Sequence, residues 1–233
     1  MGVNLKDEEE VKQYLHNLGI EYRFGCYQEK KPEVCHLLGD YLEAIKKDFD
    51  KAAKVYKTNC DDYNFGKSCQ KFGNYSFVGK GNTTKDTEVA FKYYKKACDL
   101  GETKACFNVG VLNILDTKNS RKEKDYALGV ASLHKCCDDN DAHCCFYVST
   151  MFLQGLKNGF IEKDMAKAYS FSLKACDLGS MQACANVSQM YQRGDGVDKN
   201  EDLAEKYKKK ALELQQQTFK QQQLEFQQGT ERV

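Results

Sequence analysis

The sequence predicts an all-α chain of stacked helix pairs, a solenoid, from three observations. A single Pro stands among 233 residues and 30% of the chain is charged, so little interrupts long helices. Twelve cysteines fall into five groups, at 26 and 35, 60 and 69, 98 and 106, 136/137 and 144/145, and 176 and 184. The first members, taking Cys137 for the doubled group, lie 34, 38, 39 and 39 residues apart, and the second members 34, 37, 39 and 39. A period of that length marks supersecondary units that bury their apolar faces only by stacking on one another.

Composition narrows the partners. Lys plus Arg is 35 against 34 for Asp plus Glu, a net charge of +1, which provides no field to hold nucleic acid, so no nucleic-acid partner is expected. Mean hydropathy is −0.68, and no run approaches the roughly 18 apolar residues of a membrane helix, so no membrane insertion is expected. The opening Met1-Gly2-Val3-Asn4-Leu5-Lys6-Asp7, followed by three glutamates, has no apolar core or cleavage site of a secretory signal. It is also acidic where a matrix-targeting presequence is Arg-rich, and it lacks the Ser or Thr at position 6 that myristoylation prefers. Many cysteines without a secretory signal is a conflict, because a reducing cytosol leaves thiols free.

Along the chain, residues 8 to 25 supply one helix before Cys26. Apolar residues then recur at helical spacing in Val89-Ala90-Phe91-Lys92-Tyr93-Tyr94-Lys95 and Met165-Ala166-Lys167-Ala168-Tyr169-Ser170-Phe171. Each stretch runs into a shared motif, Lys96-Ala97-Cys98-Asp99-Leu100-Gly101 with Ala105-Cys106, and Lys174-Ala175-Cys176-Asp177-Leu178-Gly179 with Ala183-Cys184. The glycine after Cys-Asp-Leu is a natural left-handed helix end. A second helix follows and closes on a glycine loop, Gly79-Lys80-Gly81 or Gly194-Asp195-Gly196-Val197. Asp202 to Leu214 forms the last helical stretch, and the segment from Gln215 to Gln228 holds eight glutamines whose composition fits either a continued helix or disorder.

These motifs resemble the Sel1-like repeat family, a relative of the tetratricopeptide repeats with a Gly-x-Gly loop and a Lys-Ala-x-x-Tyr-x-x-Ala-x-x-x-Gly helix. The paired cysteines resemble its cysteine-rich branch, which includes secreted bacterial proteins once labelled β-lactamase-like and mitochondrial factors of cytochrome c oxidase assembly. Asp7-Glu8-Glu9-Glu10-Val11-Lys12, Asp48-Phe49-Asp50-Lys51-Ala52-Ala53-Lys54-Val55 and Gly194-Asp195-Gly196-Val197-Asp198-Lys199 carry the likeness to the mitochondrial members. The resemblance implies an α/α right-handed solenoid cross-linked by disulfides. Its expected parts are an N-terminal helical cap at 1–31, five repeats at about 32–64, 66–102, 103–140, 141–180 and 181–214, and a glutamine-rich tail at 215–233.

A cysteine at one helix end meets another eight or nine positions on, across an antiparallel turn. The expected bridges are Cys26–Cys35, Cys60–Cys69, Cys98–Cys106, Cys137–Cys145 and Cys176–Cys184. Closing one such loop of about nine residues stabilises by roughly 2.6 kcal/mol in the chain-entropy model. Reduced structural thiols are the competing account, and zinc is disfavoured for want of a Cys-x2-4-Cys knuckle. In the doubled group the motif aligns Cys137 with Cys98 and Cys145 with Cys106. Cys136 and Cys144 then take the places of Ala97 and Ala105 and are read as spare thiols in alanine-sized slots, with a sixth bridge or a reactive pair as alternatives.

Other sites find less support. Ser68-Cys69-Gln70-Lys71 and Ser132-Leu133-His134-Lys135 match a Ser-x-x-Lys string, but no Ser-Asp-Asn or Lys-Thr-Gly accompanies them. His16, His36, His134 and His143 share no ligand spacing and read as surface or capping residues, so no metal and no catalytic residue is assigned. No Cys-x-x-Cys-His occurs, which excludes covalent haem; the family resemblance leaves a non-covalent haem open.

The resemblance implies a non-enzymatic protein of the mitochondrial intermembrane space, trapped there by oxidative folding. It would assist assembly of respiratory-chain complexes, chiefly cytochrome c oxidase and also complex I. Its implied partners are oxidase assembly components and the oxidative-folding import machinery. A thiol oxidoreductase using Cys136 and Cys144, a haem-handling chaperone, and a cytosolic or ER-linked adaptor with reduced thiols are the alternatives.

Overall fold

The computed structural model describes residues 7–115, 123–156 and 159–230. The expectation for the extreme N-terminus, residues 1–6, lies outside them. Eleven helices make up the described residues, with one isolated bridge between Leu156 and Ile161 as the sole strand-like pairing among them. The chain divides into two compact units, residues 1–124 and 125–233.

The first unit holds α1 (Glu8–Tyr27), α2 (Pro32–Ala44), α3 (Phe49–Tyr63), α4 (Gly66–Val78), α5 (Thr87–Asp99) and α6 (Thr103–Ile114). The second holds α7 (Tyr126–Asp138), α8 (Ala142–Gln154), α9 (Met165–Asp177), α10 (Met181–Arg193) and α11 (Glu201–Thr230). Within each unit, neighbouring helices in the chain pack on one another, most extensively α2 on α3, α4 on α5, α8 on α9 and α10 on α11. The glutamine-rich segment is therefore helical, as the continuation of α11.

A repeated start signal sets the frame. The carboxylates of Asp48, Asp86, Asp125 and Asp164 accept backbone N–H groups in the first turns of α3, α5, α7 and α9, and the Asn200 amide does the same for α11. Each removes an orphan donor and places negative charge or an acceptor at the positive end of the helix dipole. At the other end of α5 and α9, Gly101 and Gly179 take φ +95°, the left-handed turn the sequence predicts, and Asn140 substitutes after α7 with φ 63°.

The Gly-x-Gly loops are packing devices. A Cβ on Gly81 would fall 2.4 Å from the carbonyl oxygen of Phe49, and one on Gly196 would collide with that of Met165. Each loop thus lies against the first turn of the preceding repeat's helix, a close approach only glycine permits. Packed backbone occupies the space a phosphate would need, which accounts for both glycines without a ligand. The core of the first unit gathers Leu38, Tyr41, Leu42, Ala52, Tyr56 and Phe72, and that of the second Leu133, Val148, Met151, Ala168, Val187 and Tyr191.

Candidate functional site

Cysteine placement follows from the hairpins. α1, α3, α5, α7 and α9 each end one to three residues after a cysteine, and the following helix begins three residues before its partner. Cys26–Cys35, Cys60–Cys69, Cys98–Cys106, Cys137–Cys145 and Cys176–Cys184 are joined, with Cα–Cα separations of 4.5, 4.7, 4.6, 4.6 and 4.6 Å. All ten cysteines are buried.

The structure corrects one expectation. Cys136 and Cys144 are not spare thiols: they form a sixth bridge, with Cα–Cα 5.8 Å, and no cysteine is left free. Aligning them with Ala97 and Ala105 is right in position, but those two slots face each other across the turn. Adjacent residues on a helix point about 100° apart, so 136/144 and 137/145 meet on neighbouring faces of one hairpin. Simultaneous occupation of both slots by cysteine, at the same spacing of eight, was the signal in the sequence.

The lysine of the Lys-Ala-Cys motif has a role that sequence reasoning missed. Lys96 donates to the carbonyl oxygen of Cys60 at 2.6 Å, and Lys174 to that of Cys137 at 2.7 Å. Each ammonium adds a charged donor to a carbonyl at the negative end of the preceding repeat's helix, beside the backbone N–H of Asn64 or Asn140 that the same oxygen accepts.

Ser68 lies in a polar cluster that no spacing rule reveals. It is fully buried, its hydroxyl 3.0 Å from His36 Nδ1, and it accepts from Asn59 Nδ2 at 2.8 Å. His36 Nε2 lies 3.6 Å from Asp40. The order Ser–His–Asp is that of a hydrolase triad, but the hydroxyl is sealed from any substrate. Lys71 is committed to Asp40 at 3.2 Å and Glu43 at 2.9 Å. Burial lowers the His36 pKa against the opposing pull of Asp40, which favours the neutral ring. Burial pushes Glu43 upward, yet hydrogen bonds and charge from Lys71 and Lys80 prevail and hold it at about 2. Tyr56 donates to Asp40 at 2.6 Å and to Glu43 at 3.2 Å, and burial with these carboxylates raises its own pKa. The cluster fastens α2, α3 and α4 together.

Ser132 is buried in α7. His36 and His134 are half-buried against aromatic rings, Tyr56 and Phe65 for the first and Phe152 and Phe171 for the second, in place of the surface positions the sequence suggests. His16 and His143 are exposed. Among the described residues no group of three His, Cys, Asp or Glu could hold a metal ion. No histidine lines the apolar pocket beside Cys26–Cys35, and the apolar groove between α10 and α11 carries Met181 without a second ligand.

Helix pairs, caps and bridges recur in one register, and the family profile described as the Sel1 repeat matches residues 32–56, 68–102, 142–180 and 182–215, over half of the chain. The chain belongs to the Sel1 repeat family. The Sel1 matches fall on the helix pairs α2–α3, α4–α5, α8–α9 and α10–α11, and the bridge Cys176–Cys184 joins one matched repeat to the next.

Among curated relatives, the Drosophila melanogaster "Cytochrome c oxidase assembly factor 7 homolog" is 56% identical over 128 residues, covering 54% of this chain and 47% of that protein. The Xenopus tropicalis "Cytochrome c oxidase assembly factor 7" is 45% identical over 132 residues, covering 53% and 57%. The chain spans about half the length of the curated relatives it matches. Among solved structures, a Sel1 repeat protein from Oxalobacter formigenes shares the fold, with TM-score 0.75 at 19% identity over 88% of this chain and 82% of that one.

Proposed function

We propose that this chain is a non-enzymatic, oxidised Sel1 repeat protein of the mitochondrial intermembrane space that assists assembly of cytochrome c oxidase, and of complex I, by binding other proteins. The observation that carries this reading is the 56% identity over 128 residues to a relative named for cytochrome c oxidase assembly. Two features of the molecule support it. All twelve cysteines are paired, which suits a compartment that oxidises thiols. The two serines of the Ser-x-x-Lys strings are buried in the packing, which suits a binding role over hydrolysis. The bridges are buried as well, which gives the thiol oxidoreductase alternative no support.

The experiment is deletion of the gene in its own cells, with native-gel separation of respiratory complexes. Assembled cytochrome c oxidase should fall and return on expression of this chain; unchanged oxidase would overturn the proposal. Alkylation of the protein in intact mitochondria should find no free thiol, and ten or more would place it in a reducing compartment.

A further inference from the structure

Register shows what the groove between α10 and α11 is shaped to receive. The caps Asp164 and Asn200 align α9 with α11, so that Ala168 corresponds to Ala204, Ala175 to Ala211, Cys176 to Leu212 and Gly179 to Gln215. On α9, Ala175 and Cys176 are both 0% exposed, because the chain turns at Gly179 and α10 returns to cover them, bonded through Cys184. α5 repeats this, with Ala97 and Cys98 under α6 and the turn at Gly101. On α11 the corresponding Leu212 is 50% exposed. It lies in a mostly apolar groove of about 450 Å³, lined also by Met181, Ala185, Gln189, Lys208 and Ala211.

Among the described residues, no helix of the chain covers this groove. Where earlier repeats have the turning glycine, Gln215 continues the helix and α11 runs on to Thr230. A second copy is an unsuitable occupant as well. The covering position belongs to the second helix of a hairpin, and α2, α4, α6, α8 and α10 are each already packed on the helices before and after them, α6 on α5.

We propose that the α10–α11 groove is a docking site for an amphipathic helix of another polypeptide, laid on α11 as α10 is laid on α9. The inference specifies a surface for the binding role proposed above and rests on that reading. Leu212 replaces the half-cystine, so this joint is non-covalent and reversible where the earlier ones are locked. Because leucine is larger than the half-cystine, the helix needs Ala, Ser or Gly above Leu212. It needs an apolar side chain one turn on, as α10 has Val187 after Ala183. Lys208 at the rim, balanced in the molecule by Glu205 at 3.3 Å, and the Gln189 amide favour an acidic or amide side chain on the flank of the helix.

The test uses the full chain and a peptide of residues 180–193, which already has the shape of a covering helix. With its Cys184 activated as a pyridyl disulfide, the peptide should couple to a Leu212→Cys protein at least tenfold faster than to Glu213→Cys, whose side chain leaves the adjacent position. Equal rates overturn the proposal. Fluorescence anisotropy with a labelled Cys184→Ala peptide should show binding to the unmodified protein that Leu212→Glu weakens about tenfold, with unchanged helical circular dichroism. Binding insensitive to Leu212→Glu overturns it, and so does concentration-dependent dimerisation of the protein that Leu212→Glu abolishes, which would assign the groove to a second copy. These readouts concern the groove alone, so they can fail while the deletion experiment succeeds, and the reverse.

Discussion

In the first unit a tyrosine ring lies on a glycine where one repeat meets the next, whereas in the second the same register holds hydrogen-bonded serines. Four residues after the bridging cysteine of α2 and α4 stand Gly39 and Gly73, and a Cβ there would come within 2.3 Å of Tyr56 and 2.7 Å of Tyr94. Four residues after the cysteines of α8 and α10 stand Ser149 and Ser188. Ser149 meets Ser172 at 2.5 Å and donates to the carbonyl of Ala168 at 3.1 Å, and Ser188 donates to that of Ala204 at 2.7 Å. Tyr56 and Tyr94 carry their hydroxyls through the joint to Asp40 and Asn74. The repeat conserves a distance between helices and lets the chemistry vary. A large ring fills the gap against nothing, or two small hydroxyls satisfy each other in it.

The largest effect should come from emptying the tyrosine joint. Tyr56→Ala leaves a cavity and strips a partner from Asp40, and should destabilise the protein by about 4 kcal/mol in urea titrations followed by circular dichroism. Ser172→Ala, the corresponding change in the second unit, should cost about 1 kcal/mol, because Ser149 keeps the Ala168 carbonyl. Equal costs would show that the volume of the ring does not set the strength of the first joint.

The bridges sharpen the contrast within the second unit. Cys176→Ala with Cys184→Ala should cost about 2 to 3 kcal/mol, the loop-closure value. Cys136→Ala with Cys144→Ala should cost under about 1 kcal/mol, because Cys137–Cys145 already closes nearly the same loop. A full loop-closure loss for the second pair, measured by the same titration, would mean that the two bridges constrain different parts of the unfolded chain.

The smallest effect concerns acid. Glu43 is held at about 2 against an ordinary 4.5, so its contribution is present above about pH 4.5 and is lost as pH falls toward 2. Partial access of solvent to the cluster screens the magnitude. Glu43→Gln should flatten the stability profile across that window, and an unchanged slope would remove the Lys71–Glu43–Lys80 cluster from the account.

Much of this is legible in the sequence. Cys98 and Cys106, like Cys176 and Cys184, sit in a repeated local pattern, and a contact across an eight-residue turn is almost determined by chain connectivity. Gly101 and Gly179 were legible for the same reason, since a left-handed helix end is a local requirement. The pair Cys136 and Cys144 was misread because alignment compares each position with its counterpart in other repeats and ignores the slot opposite.

By itself the sequence determined the helical class, the stacking period, the spacing of the cysteine pairs and the family likeness, because each depends on residues within one turn or one repeat of each other. Tertiary structure alone decided the sixth bridge, the joining of His36 to Ser68 across 32 positions, and the reach of Lys96 and Lys174 to the preceding repeat's helix end. It also decided that the glutamine-rich segment continues α11 past an exposed Leu212. Those features depend on which faces of separate helices meet, and the rotation of one helix against another is set by side-chain packing that no single segment encodes.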